Sequence, residues 1–426
     1  NVVGADGLRL RLFGGSSGNI QFNSSLIGNS VPAATQTNGF DFILGSGAFP
    51  GGSLTTAFLN SNVSGNNADG ILGLINGTGV AGQSFADISL SNSKVQVNNA
   101  AGIDLSVNNA GRLGLIIDNN SLVDTNGSDG VLINATDAAT SVAGFVLNSS
   151  LTNNGQATPP GLGNGLTGNF DSGATGNFTV TSATIGNTLV GGAQQNGLIF
   201  NVNQNAVATA TNVKLDILTS TLSNNAVSGL AGNITGNNVG INPTTGMQIT
   251  LDQSTLANNG GNGAAFVVDN GALLKMSVDN SFITGSGQNG MFVDISNAFS
   301  LAAIDMADSQ LNNNGTILFP GDGFNATVAT GATLNVCAET TNGFLQKMSF
   351  SGNTGDGLDV IVSDVGSRSD IDFHSVIAGA SALDALTGNT LNGTNVSVFN
   401  GGELNLRANT SHFDGNQGAG LLGSVN

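Results

Sequence analysis

Residues 262–288 read NGAAFVVDNGALLKMSVDNSFITGSGQ. Two runs in this stretch place an apolar side chain at every second position: Ala264, Phe266 and Val268, then Leu274, Met276 and Val278. Asp-Asn-Gly separates the two runs, and Asp-Asn-Ser divides the second run from the apolar pair Phe282-Ile283. Period-two alternation between Gly, Asn, Asp and Ser predicts three short strands joined by tight turns.

The opening of this stretch recurs along the whole chain. A glycine, usually preceded by Asp or Asn, is followed by apolar residues at most of the first, third and fifth positions beyond it. Fourteen glycines have this context: Gly7, Gly39, Gly70, Gly102, Gly130, Gly165, Gly197, Gly229, Gly263, Gly290, Gly323, Gly357, Gly393 and Gly420. Successive openings are 27 to 36 residues apart. A fixed period of this size indicates a solenoid or a propeller.

The spacing of the apolar residues distinguishes between repeat architectures. They recur at every second position rather than every 3.6 positions, which excludes helical repeats. A propeller blade has four antiparallel strands in roughly 40 residues, whereas each repeat here provides three strands and the chain has no Trp.

Glycines at the third position after the opening are compensated by the neighbouring repeats. Gly73 falls between Phe42 and Leu105 of the repeats before and after it. The same holds for two further glycines: Gly168 between Ile133 and Phe200, and Gly232 between Phe200 and Phe266. This is expected if repeats stack about 4.8 Å apart, because a large side chain then fills the space over a missing one. Blades of a propeller would not need such compensation.

Apolar residues at equivalent positions of successive repeats form a column, and the first column follows the opening glycines. Two further columns come later in each repeat. The second contains Val213, Leu215 and Ile217; Met247, Ile249 and Leu251; and Leu404, Leu406 and Ala408. The third contains Leu122, Leu151, Leu222, Leu256, Phe282 and Leu311. Three columns predict three parallel sheets wound into one coil, with right-handed crossovers. The sequence therefore predicts an all-β fold, a right-handed parallel β-helix with three strands per coil and 13 to 14 coils. We expect a single domain over residues 1–426, without evident caps at either end.

Charge limits the kinds of partner. The net charge is −18, from 27 Asp and Glu against 9 Lys and Arg. So acidic a chain is poorly suited to nucleic acids and to anionic membranes, and no run approaches the roughly 18 apolar residues of a membrane helix. We expect neither a nucleic-acid partner nor membrane insertion.

Cys337 is the only cysteine, so the chain has no intrachain disulfide. Leu334 and Val336 match the inward column, so Cys337 is expected to point outward, beside the position of Ser277 in an earlier coil. The scarcity of cysteine suits an exported protein without a disulfide framework. The chain begins at Asn1 without a basic leader, which indicates a processed or excised chain. We expect an extracellular or cell-surface location.

The glycine-led openings and the Asn-rich corners resemble the parallel β-helix repeat family, with its pectate-lyase-like fold, over the whole chain. The resemblance implies the fold. Members of that family divide broadly into polysaccharide lyases and hydrolases on one side, and surface adhesins, fibres and stalk proteins on the other. Because fold does not fix function, the residues must decide between these branches.

Motifs of the enzyme branch are missing from the sequence. Polygalacturonase-like members carry Asp-Asp, Gly-His-Gly and Arg-x-Lys motifs, and this chain has none of the three. Its two histidines, His374 and His412, fall in separate coils. Tyr and Trp, the aromatic platforms favoured by sugar-binding clefts, are absent, and the Phe residues fall mostly at inward positions.

One group of polar residues has the composition of a site: Asp359, Asp364, Arg368, Asp370, Asp372 and His374. Asp370 and Asp372 alternate along one strand and so face the same side. With Asp359 from a neighbouring strand they would suit a hydrolytic carboxylate pair or a calcium site. A salt-bridged or solvated exterior explains the same residues. We therefore assign no catalytic, cofactor-binding or metal site and expect no cofactor, with calcium as the one weak alternative.

Asn-Asn pairs close several coils: Asn66-Asn67, Asn98-Asn99, Asn153-Asn154, Asn224-Asn225, Asn258-Asn259 and Asn312-Asn313. Asn tolerates the left-handed backbone of a sharp corner, and stacked amides can hydrogen-bond to the coils above and below. Proline cannot donate to a ladder, so the segments around Pro159-Pro160, Pro243 and Pro320 are expected to be surface loops. The Ala-rich segment from Ile377 to Leu386 weakly suggests a helical turn.

Open end coils would present unpaired backbone groups and apolar rungs, which are a template for edge pairing. We therefore expect a structural, non-enzymatic protein: a rigid acidic β-solenoid rod that stacks on itself end to end into a filament, or that belongs to a longer surface stalk or adhesin. Surface glycans are a further expected partner of an adhesin. The alternative is a carbohydrate-active β-helix enzyme, a polysaccharide lyase or hydrolase.

Overall fold

The computed structural model describes residues 6–28, 36–45, 51–77, 84–156, 163–188, 192–204, 209–237, 245–341, 347–380 and 387–426. Within these ranges the fold is all-β and has no helix, hence no membrane-spanning helix. The predicted loops at Pro159-Pro160 and Pro243, and residues 381–386 of the Ala-rich segment, lie outside the described residues. Two compact units divide the chain, Asn1–Leu215 (unit 1) and Asp216–Asn426 (unit 2).

Unit 1 contains three parallel sheets with one strand of each sheet per coil. The first sheet has β1 (Leu8–Leu12), β4 (Phe40–Leu44), β7 (Ile71–Asn76), β10 (Ile103–Asn108), β13 (Val131–Ala135), β16 (Leu166–Asp171) and β19 (Leu198–Asn203). The second has β2 (Ser17–Asn23), β5 (Ser53–Leu59), β8 (Phe85–Ser91), β11 (Arg112–Asp118), β14 (Ser141–Leu147) and β17 (Thr175–Thr181). The third has β3 (Leu26–Gly28), β6 (Asn62–Ser64), β9 (Lys94–Gln96), β12 (Leu122–Asp124), β15 (Ser150–Thr152) and β18 (Thr184–Gly186).

The unit boundary falls within β20 (Asn212–Leu218), and unit 2 repeats the arrangement. Its first sheet has β22 (Leu230–Thr235), β25 (Ala264–Asp269), β28 (Met291–Ile295), β31 (Phe324–Val328), β33 (Leu358–Ser363), β35 (Thr394–Phe399) and β37 (Leu421–Val425). The second has β23 (Gly246–Asp252), β26 (Leu273–Asp279), β29 (Leu301–Ala307), β32 (Thr333–Glu339), β34 (Arg368–His374) and β36 (Glu403–Asn409). The third has β21 (Thr221–Ser223), β24 (Thr255–Ala257), β27 (Phe282–Thr284) and β30 (Gln310–Asn312).

This is a parallel β-solenoid with three strands per coil, as predicted. The expected 13 to 14 coils correspond to the 13 strands of the second sheet and the 14 of the first, but the third sheet has only ten strands. After β30 the third side continues as single-residue parallel bridges through Ser349, Ile377 and His412. The solenoid has about 11 turns.

Each of the 14 predicted glycines stands immediately before a strand of the first sheet. The reason is the close approach of the next coil rather than a special backbone angle. A Cβ atom on Gly130 would lie 2.6 Å from the carbonyl oxygen of Gly165, and one on Gly323 would lie 2.5 Å from that of Gly357. Such distances leave no room for a side chain, so glycine is required wherever coils turn into the first sheet.

The predicted compensation between neighbouring coils is confirmed within each unit. Gly73 pairs with Phe42 on one side and Leu105 on the other. Gly168 pairs with Ile133 and with Phe200. In unit 2, Gly232 pairs with Phe266, whose ring lies 2.8 Å from where a Cβ of Gly232 would be. The large side chains therefore fill the space that the glycines leave in the core.

Two members of the predicted third column are wrong. Leu122 is only half-buried, and its neighbour Val123 is the fully buried residue that pairs with Leu151. Phe282 is 39% exposed, whereas Ile283 is buried. A shift of one residue turns a side chain to the other face of a strand. Third-sheet strands have only three residues, which is too few for alternation to show which residues face inward. The remaining predicted members are buried: Leu151, Leu222, Leu256 and Leu311.

The predicted amide stacks are confirmed at the corner between the third and first sheets. In unit 1 each Nδ2 group donates to the side-chain oxygen of the next coil, along Asn66, Asn98, Asn126, Asn154 and Gln194, at 2.7 to 3.3 Å. Unit 2 has the same stack along Asn314, Asn353, Asn389 and Asn416. The residue before the stacked amide often has a left-handed backbone, with φ of 52° at Asn153 and 58° at Asn224.

A second stack, of serine hydroxyls, was not predicted. It occupies the corner between the second and third sheets. The backbone N–H of Ser61 donates to Oγ of Ser93 at 3.0 Å, and that of Ser93 donates to Oγ of Ser121 at 3.1 Å. Each hydroxyl in turn donates to a carbonyl of its own coil, as Ser93 does to Ser91. Both corners thus satisfy buried polar groups that the sheets leave unpaired.

Candidate functional site

The polar residues singled out in the sequence divide between two sheets of unit 2. Asp359 lies on β33 of the first sheet, whereas Arg368, Asp370, Asp372 and His374 lie on β34 of the second. The four residues on β34 alternate with buried residues and face outward together, as predicted. The structure therefore brings Asp370 and Asp372 onto one face but places Asp359 on a different sheet. Asp364 lies in the turn between the two strands, with φ of 73°.

Asp370 is engaged by an ion pair on its own strand. Arg368 donates to its two carboxylate oxygens at 2.8 and 3.0 Å, and Asn405 of the next coil donates at 2.8 Å. The hydrogen bond from Arg368 and then that from Asn405 hold the pKa of Asp370 below its usual range. A carboxylate held ionised in this way is suited to binding a cation or an amide, and not to acting as a general acid.

The outward face of the second sheet forms a shallow groove of about 380 Å³ around these residues. Cys337 lies in it, pairs with Asp305 and Asp372 of the adjacent coils, and points outward as predicted. Burial, and then the charges of Glu339, Asp305 and Asp372, raise the pKa of the Cys337 thiol. A thiol in such a setting is a poor nucleophile at neutral pH.

The two histidines lie on different sides of their coils. His374 ends β34, and its Nδ1 atom is 3.3 Å from the side-chain amide of Asn409. His412 belongs to the single-residue bridges that continue the third side, where it pairs with Ile377. No contact brings either ring to the carboxylates of Asp370 or Asp372 in the part of the chain that the structure describes.

Asp359 belongs to an acidic cluster that the sequence did not predict. It accepts hydrogen bonds from Asn395 at 2.9 Å and from Asn325 at 3.3 Å. Burial, and then the charges of Asp322 and Asp356, raise the pKa of Asp359 to about 7. Unit 1 has a counterpart at Asp104, where burial and the charges of two further aspartates, Asp69 and Asp129, raise the pKa to about 6.

The cluster members other than Asp104 and Asp359 have a structural role, because each stands directly before an opening glycine. There a side-chain oxygen accepts the backbone N–H of the same position in the next coil. Asp322 accepts from Asp356 at 2.6 Å, and Asp356 accepts from Asn392 at 2.6 Å. In unit 1, Asp129 accepts from Asn164 at 2.7 Å. The preference for Asp or Asn before glycine is therefore explained by stacking of the coils.

Metal binding finds little support in the geometry. Among the residues with described positions, no three His, Cys, Asp or Glu side chains are grouped closely enough to hold an ion. The clustered aspartates instead hydrogen-bond to amides of adjacent coils.

A second groove lies on the outward face of the second sheet in unit 1. It has a volume of about 500 Å³ and a floor of small residues that includes Gly114 and Ala143. Phe85, Asp87 and Arg112 border it, and the Phe85 ring is partly exposed. The combination of an aromatic face, a carboxylate and a guanidinium group can bind a polar ligand, but it contains no nucleophile paired with a base.

Comparison with known proteins adds no relative: no protein-family model matches the chain, and no significant match is found among curated proteins. The fold and the side chains described above are therefore the basis for a functional proposal.

Proposed function

We propose that this chain is a structural protein of the cell exterior: an acidic β-solenoid whose end coils pair with further coils, supplied by a second copy or by a longer surface stalk. The observation that supports the proposal is the exposure of apolar core columns on β1 and β37, the outermost first-sheet strands that the structure describes. Extracellular location is part of the proposal and is supported by the scarcity of cysteine, which suits an exported protein without a disulfide framework.

The first coil exposes side chains that are buried in the coil next to it. Leu8 is 36% exposed, and Leu10 and Leu12 are half-buried. Their partners on β4, Phe40 and Phe42, are fully buried. On one side β1 pairs with β4, and on its other side no described strand pairs with it. An apolar row beside free backbone groups is the arrangement that favours addition of another strand.

The last coil of unit 2 is exposed in the same way. Leu421 and Val425 of β37 are 50% and 82% exposed, although the corresponding Leu358 and Val362 of β33 are fully buried. The middle inward residue of β37 is Gly423, and the nearest atom to its would-be Cβ is 3.9 Å away on Val396. Gly423 therefore leaves space beside Val396.

Stacking in register imposes a condition on a second copy. Both β37 and β1 belong to the first sheet. If both were kept, the first sheet would have one more strand at the junction than the other two sheets. The coil therefore continues only if β1 of the added copy replaces β37 beside β35. That exchange would set Leu10 in the position of Gly423, against Val396. Because Leu10 fills the space that Gly423 leaves open, we expect the exchange to be favourable.

Sedimentation velocity and electron microscopy over a range of protein concentrations test the proposal. We expect concentration-dependent oligomers or filaments, and stronger assembly at high salt, since screening weakens repulsion between copies with a charge of −18. Removal of residues 419–426 should promote assembly, and Leu10→Lys should abolish it. A variant with Ser424→Lys, on the outward face of β37, is the matched control. A chain that stays monomeric throughout, with and without residues 419–426, would contradict self-stacking.

The two grooves on the second sheet favour a second candidate, a carbohydrate-active β-helix protein. In unit 2 the groove combines Asp305, Asp370, Asp372 and Arg407, which can hydrogen-bond to sugar hydroxyls or carboxylates. Screening of acidic and neutral polysaccharides for cleavage tests this candidate. Activity that is lost in the Asp370→Asn, Asp372→Asn double variant would support the enzyme and displace the structural proposal.

A further inference from the structure

A short hairpin in unit 2 presents three consecutive apolar side chains to solvent. It lies between β30 and β31, and its tip is Ile317-Leu318-Phe319 (the apolar tip). Ile317 is 96% exposed, Leu318 is 83% exposed and Phe319 is 62% exposed. Exposed runs of this kind are avoided in soluble proteins unless they contact a partner.

The hairpin has a defined conformation that is closed by its own hydrogen bonds. The backbone N–H of Thr316 donates to the carbonyl of Phe319 at 2.8 Å, and the N–H of Phe319 donates to Oγ1 of Thr316 at 3.1 Å. Gly315 and Pro320 form an antiparallel bridge below the tip. Because the turn is closed by its own hydrogen bonds, the three side chains are presented together.

Both neighbouring coils fix the base of the hairpin. The N–H of Gly315 donates to the carbonyl of Ser286 in the preceding coil at 2.7 Å. The N–H of Gly321 donates to Oγ1 of Thr354 in the following coil at 3.1 Å. A fixed base lowers the conformational entropy that is lost when the tip enters a partner.

The hairpin itself carries no charged side chain. Residues 313–321 contain no Asp, Glu, Lys or Arg, in a chain with a net charge of −18. The positions that contact the base in the adjacent coils are also uncharged, at Ser286 and Thr354. The first acid beyond the hairpin, Asp322, is half-buried and is engaged by Asn325 and by the N–H of Asp356.

We infer that the apolar tip inserts into the surface of a zwitterionic lipid bilayer. The tip is convex, so it suits a fluid apolar medium, and it has no cation nearby that would select anionic headgroups. An Ile-Leu-Phe tip enters the boundary between headgroups and acyl chains with the hydrogen bonds between Thr316 and Phe319 intact. This inference does not depend on end-to-end stacking.

Shallow insertion of a loop differs from the membrane insertion that the sequence argues against. Three residues fall far below the roughly 18 that mark a spanning helix, so hydropathy gives no signal for such a tip. Even a single acyl chain, with an association constant of about 10⁴ M⁻¹, gives only marginal and reversible membrane binding. Binding through three side chains is therefore expected to be reversible.

A single-tryptophan variant tests the inference directly, because the chain has no Trp or Tyr. In Leu318→Trp, the emission should shift to shorter wavelength on addition of phosphatidylcholine vesicles, and brominated acyl chains should quench it. Val365→Trp is the matched control, since Val365 is 81% exposed but stands alone in a turn. Its emission should not change.

Flotation with the same vesicles tests the unlabelled protein. The triple variant Ile317→Ser, Leu318→Ser, Phe319→Ser should lose at least tenfold in lipid partitioning, while Phe299→Ser should bind as the parent does. Three results would overturn the inference: no spectral shift with phosphatidylcholine, binding only when anionic lipid is present, or equal binding by the triple variant. A shift that grows with protein concentration without vesicles would also overturn it, and would assign the tip to contacts between copies.

Discussion

Glycine before most first-sheet strands is required by the neighbouring coil. The would-be Cβ of Gly130 overlaps the carbonyl oxygen of Gly165, and backbone atoms cannot move aside without breaking the ladder. We expect Gly130→Ala to lower the free energy of unfolding of unit 1 by about 1–3 kcal/mol, the usual cost of overpacking in a protein core. Urea denaturation of both proteins measures this change.

The control for that substitution is Gly423→Ala, where the nearest atom is 3.9 Å away. It should leave stability unchanged within about 0.5 kcal/mol. Equal losses for Gly130→Ala and Gly423→Ala would show that close approach of coils is not why glycine is needed.

Asp359 makes stability depend on pH. Its pKa in the folded chain is raised to about 7, whereas an unfolded aspartate titrates near 3.9. Between about pH 4 and pH 7 the folded state holds a proton that the unfolded state has lost, so the stability of unit 2 should fall as the pH rises through this window.

Thermal unfolding of Asp359→Asn measures this effect. The variant should show a weaker fall of melting temperature between pH 4 and pH 7.5 than the parent, because the amide stays neutral beside Asp322 and Asp356. Asp252→Asn, outside the cluster on β23, is the matched control. If the parent and Asp359→Asn show the same pH dependence, the carboxyl group of Asp359 is not the origin.

At the scale of elements, the stacked amides hold the corner between the third and first sheets. Asn126 is fully buried, donates to Asn154 and to the carbonyl of Val95, and accepts from Asn98. We expect Asn126→Ala to lower the free energy of unfolding by about 1–3 kcal/mol for each buried group left without a partner. Chemical denaturation gives the value.

The exposed stack beside it provides the comparison. Asn99 donates to Asn67 at 3.0 Å on the solvent side of the same corner. Asn99→Ala should change stability by less than about 0.5 kcal/mol, since water replaces the lost hydrogen bond. A loss as large as that of Asn126→Ala would mean that burial does not distinguish the two stacks.

Long strands were predictable from the sequence, and short ones were not. All 14 first-sheet strands start where the glycines predicted, because five or six residues suffice to define an alternating pattern. Leu122 and Phe282 were assigned to the wrong face, because a strand of three residues has no pattern to follow. Ser93 and its equivalents were missed since an isolated serine at a corner has no distinctive neighbours.

The sequence predicted which way the candidate site residues point, but it did not predict which residues of other coils surround them. Alternation correctly placed Asp370, Asp372 and Cys337 on the outward face of the second sheet. It did not predict the environment of Asp359, because burial and the approach of Asp322 and Asp356 depend on which coils are adjacent. The apolar tip at Leu318 was predicted only as a surface loop around Pro320, since exposure of three residues is a property of the hairpin and not of the composition.

At the scale of the whole molecule, the account depends on the alignment of coils. Residues one repeat apart lie directly over one another, so the ladders, the filled core and the open end strands are all consequences of one register. The single domain over residues 1–426 stays a prediction, and each unit carries the same three-sheet pattern.

The most direct test of this register uses the only cysteine of the chain. Cys337 pairs with Asp372 in the next coil, outward and 35 positions later. Parallel neighbours in register lie about 4.8 Å apart, within the Cα separation that a disulfide tolerates. Mild oxidation of Asp372→Cys should therefore form an intramolecular disulfide. Asp370→Cys and His374→Cys, two residues out of register, should not form it. Bridging in a shifted variant, or none in Asp372→Cys, would contradict the stacked coils.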